Sequence, residues 1–280
     1  MQHNYLSTNG IRLHYVTQGE GPLMLLLHGF PEFWYSWRHQ IPEFAKDYNV
    51  VALDLRGYND SDKPKETAAY ALPELIKDVE GAILALGYDK CVLVGHDWGG
   101  AIAWSFAYEH ADMLEKLIVL NLPHPAKFVA GLRTPQQLLR SWYIALFQLP
   151  KLPEWMLSAN DYAAIRAAFS NMAINPEAFS PQDLDAYATA AAKPGALTGM
   201  LNYYRNIFRS DGLFQRTWDT LEIPTLMIWG EEDTALGKEL TYGTEEFVSD
   251  FEIKYIPQCS HWVQQEQPAL VNQYIRDFLR

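Results

Sequence analysis

Short, continuous apolar runs that stop at a glycine or a polar turn recur along the chain: PLMLLLHG, NVVALDLRG, KCVLVGHD and LEKLIVLNLP. A strand with one wet face alternates, so uninterrupted runs of this length suit strands covered on both faces, as in a parallel sheet. Helical periodicity lies between them, as in LPELIKDVEGAILALG, where Leu75, Val79, Ile83 and Leu86 fall at three- and four-residue steps. Near the start, Asn9-Gly10 separates two alternating segments, a two-residue hairpin signal. From Pro123 the pattern changes. Residues 124 to about 212 hold no buried-strand run and read as helices broken by QLPKLPE, NPEAFSPQD and KPGAL. Strand signals return at IPTLMIWGEED and FEIKYIPQCSH, before a last helix from Pro268 to Arg280. The expected fold class is α/β: a mostly parallel central sheet with helices on both faces, built from 1–123 and 213–280. Residues 124–212 form an inserted helical lid over the C-terminal edge of that sheet.

A net charge of -12 over 280 residues argues against nucleic acid or an anionic membrane surface as partner. The N-terminal stretch has no basic segment leading into an apolar core, and no run of about 18 apolar residues occurs to span a bilayer. Cys91 and Cys259 are too few for a disulfide framework or a zinc site and read as small buried fillers in a reduced, cytoplasmic protein. The eight histidines are scattered, with no H-E-x-x-H pair, so neither a metal nor a cofactor is expected. A monomer or a homodimer fits equally.

The stretch LVGHDWGGAIAW carries the chemistry. Gly95-His96-Asp97-Trp98-Gly99 has the G-x-nucleophile-x-G spacing of a sharp strand-to-helix turn, with aspartate where serine is usual. The competing interpretation is an aspartate N-cap on the helix that follows. His261, after the last strand signal, completes the chain order nucleophile, acid, histidine. The acid should follow one of the two intervening strands. Asn121 holds the first of those positions and cannot be an anion, while Glu231, Glu232 and Asp233 all stand at the second. In LLLHGFPEFWYSW, His28-Gly29-Phe30-Pro31 forms a strand-exit turn whose Phe30 amide, with that of Trp98, would make an oxyanion hole. A cis Phe30-Pro31 bond would aim that amide.

With HGFPEFWYSWRHQ, DLRGYNDSDKP, GHDWGG, WGEED and SHWVQQEQP in place nearly end to end, the chain resembles an epoxide hydrolase of the α/β-hydrolase superfamily, of the soluble plant and mammalian type. The resemblance implies that Asp233, which closes WGEED, is the acid partner of His261. It also implies two phenols on the lid: Tyr143 in SWYIALFQLP and Tyr204, rather than its neighbour Tyr203, in LNYYRN. Asp97 would attack an epoxide carbon while Tyr143 and Tyr204 protonate the oxygen. Water activated by His261 would then cleave the Asp97 ester to give a vicinal diol. The implied substrate is a small apolar epoxide. His28, Pro31, Trp34, Phe128, Phe147 and Trp262 are the expected pocket, with Trp104, Trp142 and Phe179 as further aromatic candidates. Asn59 departs from the usual glycine and is expected in a surface turn that tolerates left-handed backbone.

Two other activities share this framework. Haloalkane and haloacid dehalogenases also use an aspartate nucleophile, but tend to carry asparagine after H-G or arginine after the nucleophile, where this chain has Phe30 and Trp98. A non-catalytic ligand-binding protein of the same fold would be expected to lose part of the constellation, and every expected position is filled here.

Overall fold

The computed structural model describes residues 1–208 and 218–280. Among them, eight strands form one sheet: β1 (Gln2–Thr8), β2 (Ile11–Gln18), β3 (Leu23–Leu27), β4 (Asn49–Leu53), β5 (Cys91–His96), β6 (Leu114–Leu120), β7 (Thr225–Gly230) and β8 (Phe251–Ile256), in the order β1-β2-β4-β3-β5-β6-β7-β8. β1 and β2 are antiparallel, β2 meets β4 antiparallel, and every other pairing is parallel. The hairpin turn is at Asn9-Gly10, both with positive φ, as a mirror-image two-residue turn requires.

The apolar runs behave as their pattern demands. In β3, Leu23, Leu25 and Leu27 enter one core cluster and Met24 and Leu26 the other. β5 divides in the same way, Leu93 to one face and Val92 and Val94 to the opposite one. Each such side chain contributes roughly 1.5–3 kcal/mol by leaving water. β8 differs. It is an edge strand of intermediate exposure, with Glu252 and Lys254 paired at 2.7 Å on its wet side, charges that discourage further strand pairing.

Helices α1 (Ile41–Phe44), α2 (Leu72–Ala85), α3 (Trp98–Glu109), α10 (Val263–Glu266) and α11 (Pro268–Leu279) belong to the sheet-bearing part. Between β6 and β7 run α4 (Pro125–Gly131), α5 (Pro135–Arg140), α6 (Trp142–Phe147), α7 (Leu152–Ser170), α8 (Pro181–Ala192) and α9 (Ala196–Asn206). α7 is two helical stretches across a kink at Ala159–Tyr162. The expected end of the insertion at 212 lies outside the described residues.

Asn59 has the expected left-handed backbone, φ 38°, but not the expected surface position. It is buried, and its amide donates to Asp54 Oδ2 at 2.7 Å, so asparagine here supplies a bond that glycine could not. Both cysteines are buried and unpaired, and burial pushes both thiols up. No helix among the described residues is long and apolar enough to cross a membrane.

Candidate active site

In a parallel sheet the strand C-termini share one edge, where ligands are usually bound. β3, β5, β7 and β8 deliver Phe30, Asp97, Asp233 and His261 to that edge. Asp97 links β5 to α3 with φ 49° and ψ -120°, a conformation an L-residue holds only when its surroundings enforce it. They do so by close approach. A Cβ on Gly99 would collide with the carbonyl of Leu27, and one on Gly29 with the side chain of Asp97 itself. Although Asp97 occupies the N-cap position of α3, its side chain makes no capping bond. Its Oδ1 accepts from the Phe30 amide at 2.7 Å instead. The Phe30-Pro31 bond is cis. Trp98, the first residue of α3, has an amide that no intrahelical carbonyl can reach.

His261 Nε2 stands 3.6 Å from Asp97 Oδ2, and its Nδ1 is 2.7 Å from Asp233 Oδ2. Of the three acids after β7, only Asp233 is buried here. Glu232 is exposed, and Glu231 pairs with Lys238. Asp233 Oδ1 accepts the amides of Ala235 and Leu236 at 2.8 and 3.0 Å, and Oδ2 also accepts from Asn121 Nδ2 at 2.8 Å. Asn121 thus serves the acid from the alternative position, and its own oxygen accepts the Gly230 amide at 2.9 Å. Burial alone would raise both aspartates. For Asp97 it is outweighed by His261, His96 and the Phe30 amide, and for Asp233 by His261, Asn121 and Leu236, so both lie below the usual carboxylate range. Burial would lower His261, but Asp233 and Asp97 reverse this and hold it well above its ordinary value.

Above Asp97, a cavity is lined by Asp97, Trp98, Ala101, Ser105, Leu122, Pro123, Pro125, Phe128, Ile144 and Leu236, by Tyr143 and Tyr204, and by Tyr70, Leu72, Tyr203, Asn206 and Ile207. The rings of Tyr143 and Tyr204 are 5.9 Å apart at 80°. Burial and the Asp97 charge raise both phenols, so both remain protonated donors at neutral pH. Tyr203 also lines the cavity, but its hydroxyl is committed to the Arg56 carbonyl at 2.7 Å.

The expected aromatic pocket needs correction. Phe128 lines the cavity; His28, Pro31, Trp34, Phe147 and Trp262 are not in its lining. His28 is buried and bridges the Gly29 carbonyl and the Leu55 amide, joining two loops; burial lowers its pKa. Pro31 is buried. Trp34 packs edge-on against His3, Phe33 and Tyr35. Phe147 backs Tyr204 at 5.0 Å, and Trp262 lies against the His261 ring at 4.9 Å. Trp104 and Phe179 are core, and Trp142 is 63% exposed. Glu32 escaped the sequence reading. Fully buried, it accepts from Gly29, Gln264 and Gln265 and meets His96 Nδ1 at 2.7 Å, while His96 Nε2 faces the His261 carbonyl at 2.9 Å. Its only signal was an acidic residue inside an otherwise apolar HGFPEFW run.

A carboxylate bound to an amide, a carboxylate-backed imidazole and two buried phenols thus meet in one site. The family model for the alpha/beta hydrolase fold matches residues 22–268. "Epoxide hydrolase 4" of Mus musculus is 47% identical over 283 residues, covering 98% of this chain and 78% of that protein. The crystal structure of Bacillus megaterium epoxide hydrolase in complex with an inhibitor superposes with a TM-score of 0.93 at 38% identity, covering 99% of both chains. A single-residue variant of that enzyme, complexed with its product (R)-3-[1]naphthyloxy-propane-1,2-diol, matches with a TM-score of 0.91 at 38% identity, again over 99% of both chains. The chain belongs to the α/β-hydrolase family, and within it to the epoxide hydrolases.

Proposed function

We propose that this enzyme opens an apolar epoxide by backside attack of Asp97 and releases a vicinal diol through a covalent alkyl ester. The observation that carries this reading is the Asp97 carboxylate itself, which forgoes the helix cap, binds the Phe30 amide through Oδ1 and leaves Oδ2 beside His261.

A carboxylate is anionic at neutral pH and needs no base to activate it, unlike serine. Its target has no carbonyl, and the alkoxide that departs must be protonated. Tyr143 and Tyr204 hydrogen-bond the epoxide oxygen and supply that proton, help worth roughly 10²–10⁴-fold. Oδ2 forms the new bond to carbon, and Oδ1, already on the Phe30 amide, becomes the ester carbonyl oxygen. Esterification consumes the Asp97 charge. That charge is one of the two holding the proton on His261, so its loss lets the imidazolium release that proton, which restores the phenol and leaves His261 neutral. Neutral His261, oriented by Asp233, takes a proton from water, and the water oxygen attacks the ester carbonyl. The charge that develops on Oδ1 meets the Phe30 and Trp98 amides, each donor worth about 10²–10³-fold. His261 passes that proton to the diol oxygen as the ester bond breaks, and the Asp97 acid then gives its remaining proton to His261, so the diol leaves and the carboxylate is regenerated carrying an oxygen from water.

Residues 124–212 act as the lid in this scheme, carrying both phenols and the Phe128 wall. The largely apolar lining supports a substrate with an aromatic or branched apolar substituent, the class to which the naphthyloxy product of the Bacillus relative belongs. The cytoplasmic location expected from cysteine usage is kept with this proposal, supported by two buried, unpaired thiols. One turnover of styrene oxide in ¹⁸O-water, followed by digestion, tests the scheme. The label should enter the peptide containing Asp97, and an unlabelled peptide beside labelled diol would replace the ester with direct attack by water.

A further inference from the structure

Glu266 is a buried carboxylate that forms no ion pair among the described residues. Its two oxygens serve different parts of the molecule. Oε1 accepts the amide of Ser260 at 3.1 Å and the Ser260 hydroxyl, one residue before His261. Oε2 accepts the amides of Ile174 and Asn175 at 2.9 and 3.0 Å, in the segment that follows α7 in the inserted helices. A second tie flanks His261 on its other side. Trp262 Nε1 donates to the Ala168 carbonyl at 3.1 Å, and its ring packs on Phe169 at 4.5 Å. The histidine is therefore held at Nδ1 by the sheet, through Asp233, while its loop neighbours are moored to the inserted helices, Trp262 to the end of α7 and Ser260, through Glu266, to the segment at 174–175.

We propose that Glu266 is a positioning residue for ester hydrolysis, setting where His261 Nε2 stands over the Asp97 carbonyl by locking its loop to the segment at 174–175. The inference rests on the ester reading above. Ring opening does not depend on this link, because Asp97 is fixed by the β5–α3 turn and Tyr204 is carried on α9. Replacing Glu266 with glutamine preserves volume but turns one acceptor into a donor, which then faces donors either at Ser260 or at Ile174 and Asn175. One end of the tie is lost whichever way the amide turns.

The test follows Glu266→Gln with styrene oxide by rapid quench and intact mass, beside wild type and His261→Gln. Ring opening should stay within about twofold, while ester hydrolysis falls roughly tenfold to a hundredfold, the scale expected of a small misplacement. The alkylated fraction rises accordingly. Because the Asp233–His261 bond is untouched, the acid limb of the hydrolysis pH profile should keep its midpoint while its plateau drops. Equal loss in both steps, unchanged hydrolysis, or a shifted midpoint would each overturn the inference. Adduct in His261→Gln without adduct in Glu266→Gln removes this inference alone, whereas no adduct in His261→Gln removes the ester reading beneath it. If Glu266→Gln does not fold, Ser260→Ala deletes one donor to Oε1 and should slow hydrolysis alone by a few fold; no selective slowing there overturns the inference equally.

Discussion

Asp97 and Tyr143 face one cavity from opposite sides and are held there by different kinds of interaction. Asp97 sits on a strand end inside a backbone lattice: a parallel ladder beneath it, an amide on Oδ1, and two glycines whose absent side chains leave only one place for it. Tyr143 sits on α6, six residues long and too short to be helical alone. It is placed by ring contacts, 5.6 Å to Phe147 and 5.9 Å to Tyr204, while the adjacent Trp142 lies largely in water. The sheet fixes Asp97 by backbone geometry and hydrogen bonds, and the inserted helices fix Tyr143 by packing. In the proposed scheme, bond formation would then rest on the hydrogen-bonded part and substrate shape would be read by the packed one.

The largest expected effect falls on the hydrogen-bonded side. Asp97→Ala should abolish turnover, a loss on the order of 10⁶-fold as for other lone nucleophiles, and measurable diol formation would leave the comparison without its first member. On the packed side, replacing both Tyr143 and Tyr204 with phenylalanine should slow ring opening by roughly 10²–10⁴-fold and spare hydrolysis of preformed ester. Equal damage to both steps in rapid quench would show that the phenols are not confined to protonation. Asn121→Ala removes a donor from Asp233 and strands the Gly230 amide. It should cost about 1–3 kcal/mol in chemical denaturation with little change in ring opening, and a neutral result would detach Asn121 from the acid.

A smaller effect concerns protons. Burial lowers His261, but Asp233 and Asp97 raise it above its ordinary 6.5. The stability it contributes is therefore complete below about 6.5 and disappears as pH rises through the raised value. Asp97→Asn removes one of the two anions, so its alkaline loss of Tm should begin at lower pH, and the His261 ring should titrate lower by NMR. Coincident titrations would mean that Asp97 does not act on the imidazole. Smallest is Phe128→Ala, which should change kcat/KM between bulky and small epoxides while leaving the His261 titration in place. Unchanged selectivity would remove Phe128 from the list of walls.

The same contrast governs how much the amino-acid pattern disclosed. Strands were legible because burial on both faces leaves no alternation, and the elbow because few residues fit around Asp97. Among the parallel strands β8 carries the weakest apolar run, FEIKYI, because it lies at an edge of the sheet. The walls were harder to read. An aromatic residue advertises burial but not direction, and Trp34, Phe147 and Trp262 pack against other rings outside the cavity lining. Leu122, Pro123, Pro125, Ile207 and Leu236, which do line it, have no distinguishing chemistry. Asn121 was set aside because amides cannot be anions, although an amide can still hold one. The burial of Asn59 is not legible because a turn signal does not reveal whether the turn is wet.

The chain order of the site has its own corollary for damage. In the proposed scheme, synthesis delivers the alkylatable carboxylate first, the phenols next and the resetting imidazole last, on the loop that follows the half-buried edge strand β8. On that scheme, a molecule whose loop after β8 had come loose would keep the groups that capture a substrate and lose the one that releases it.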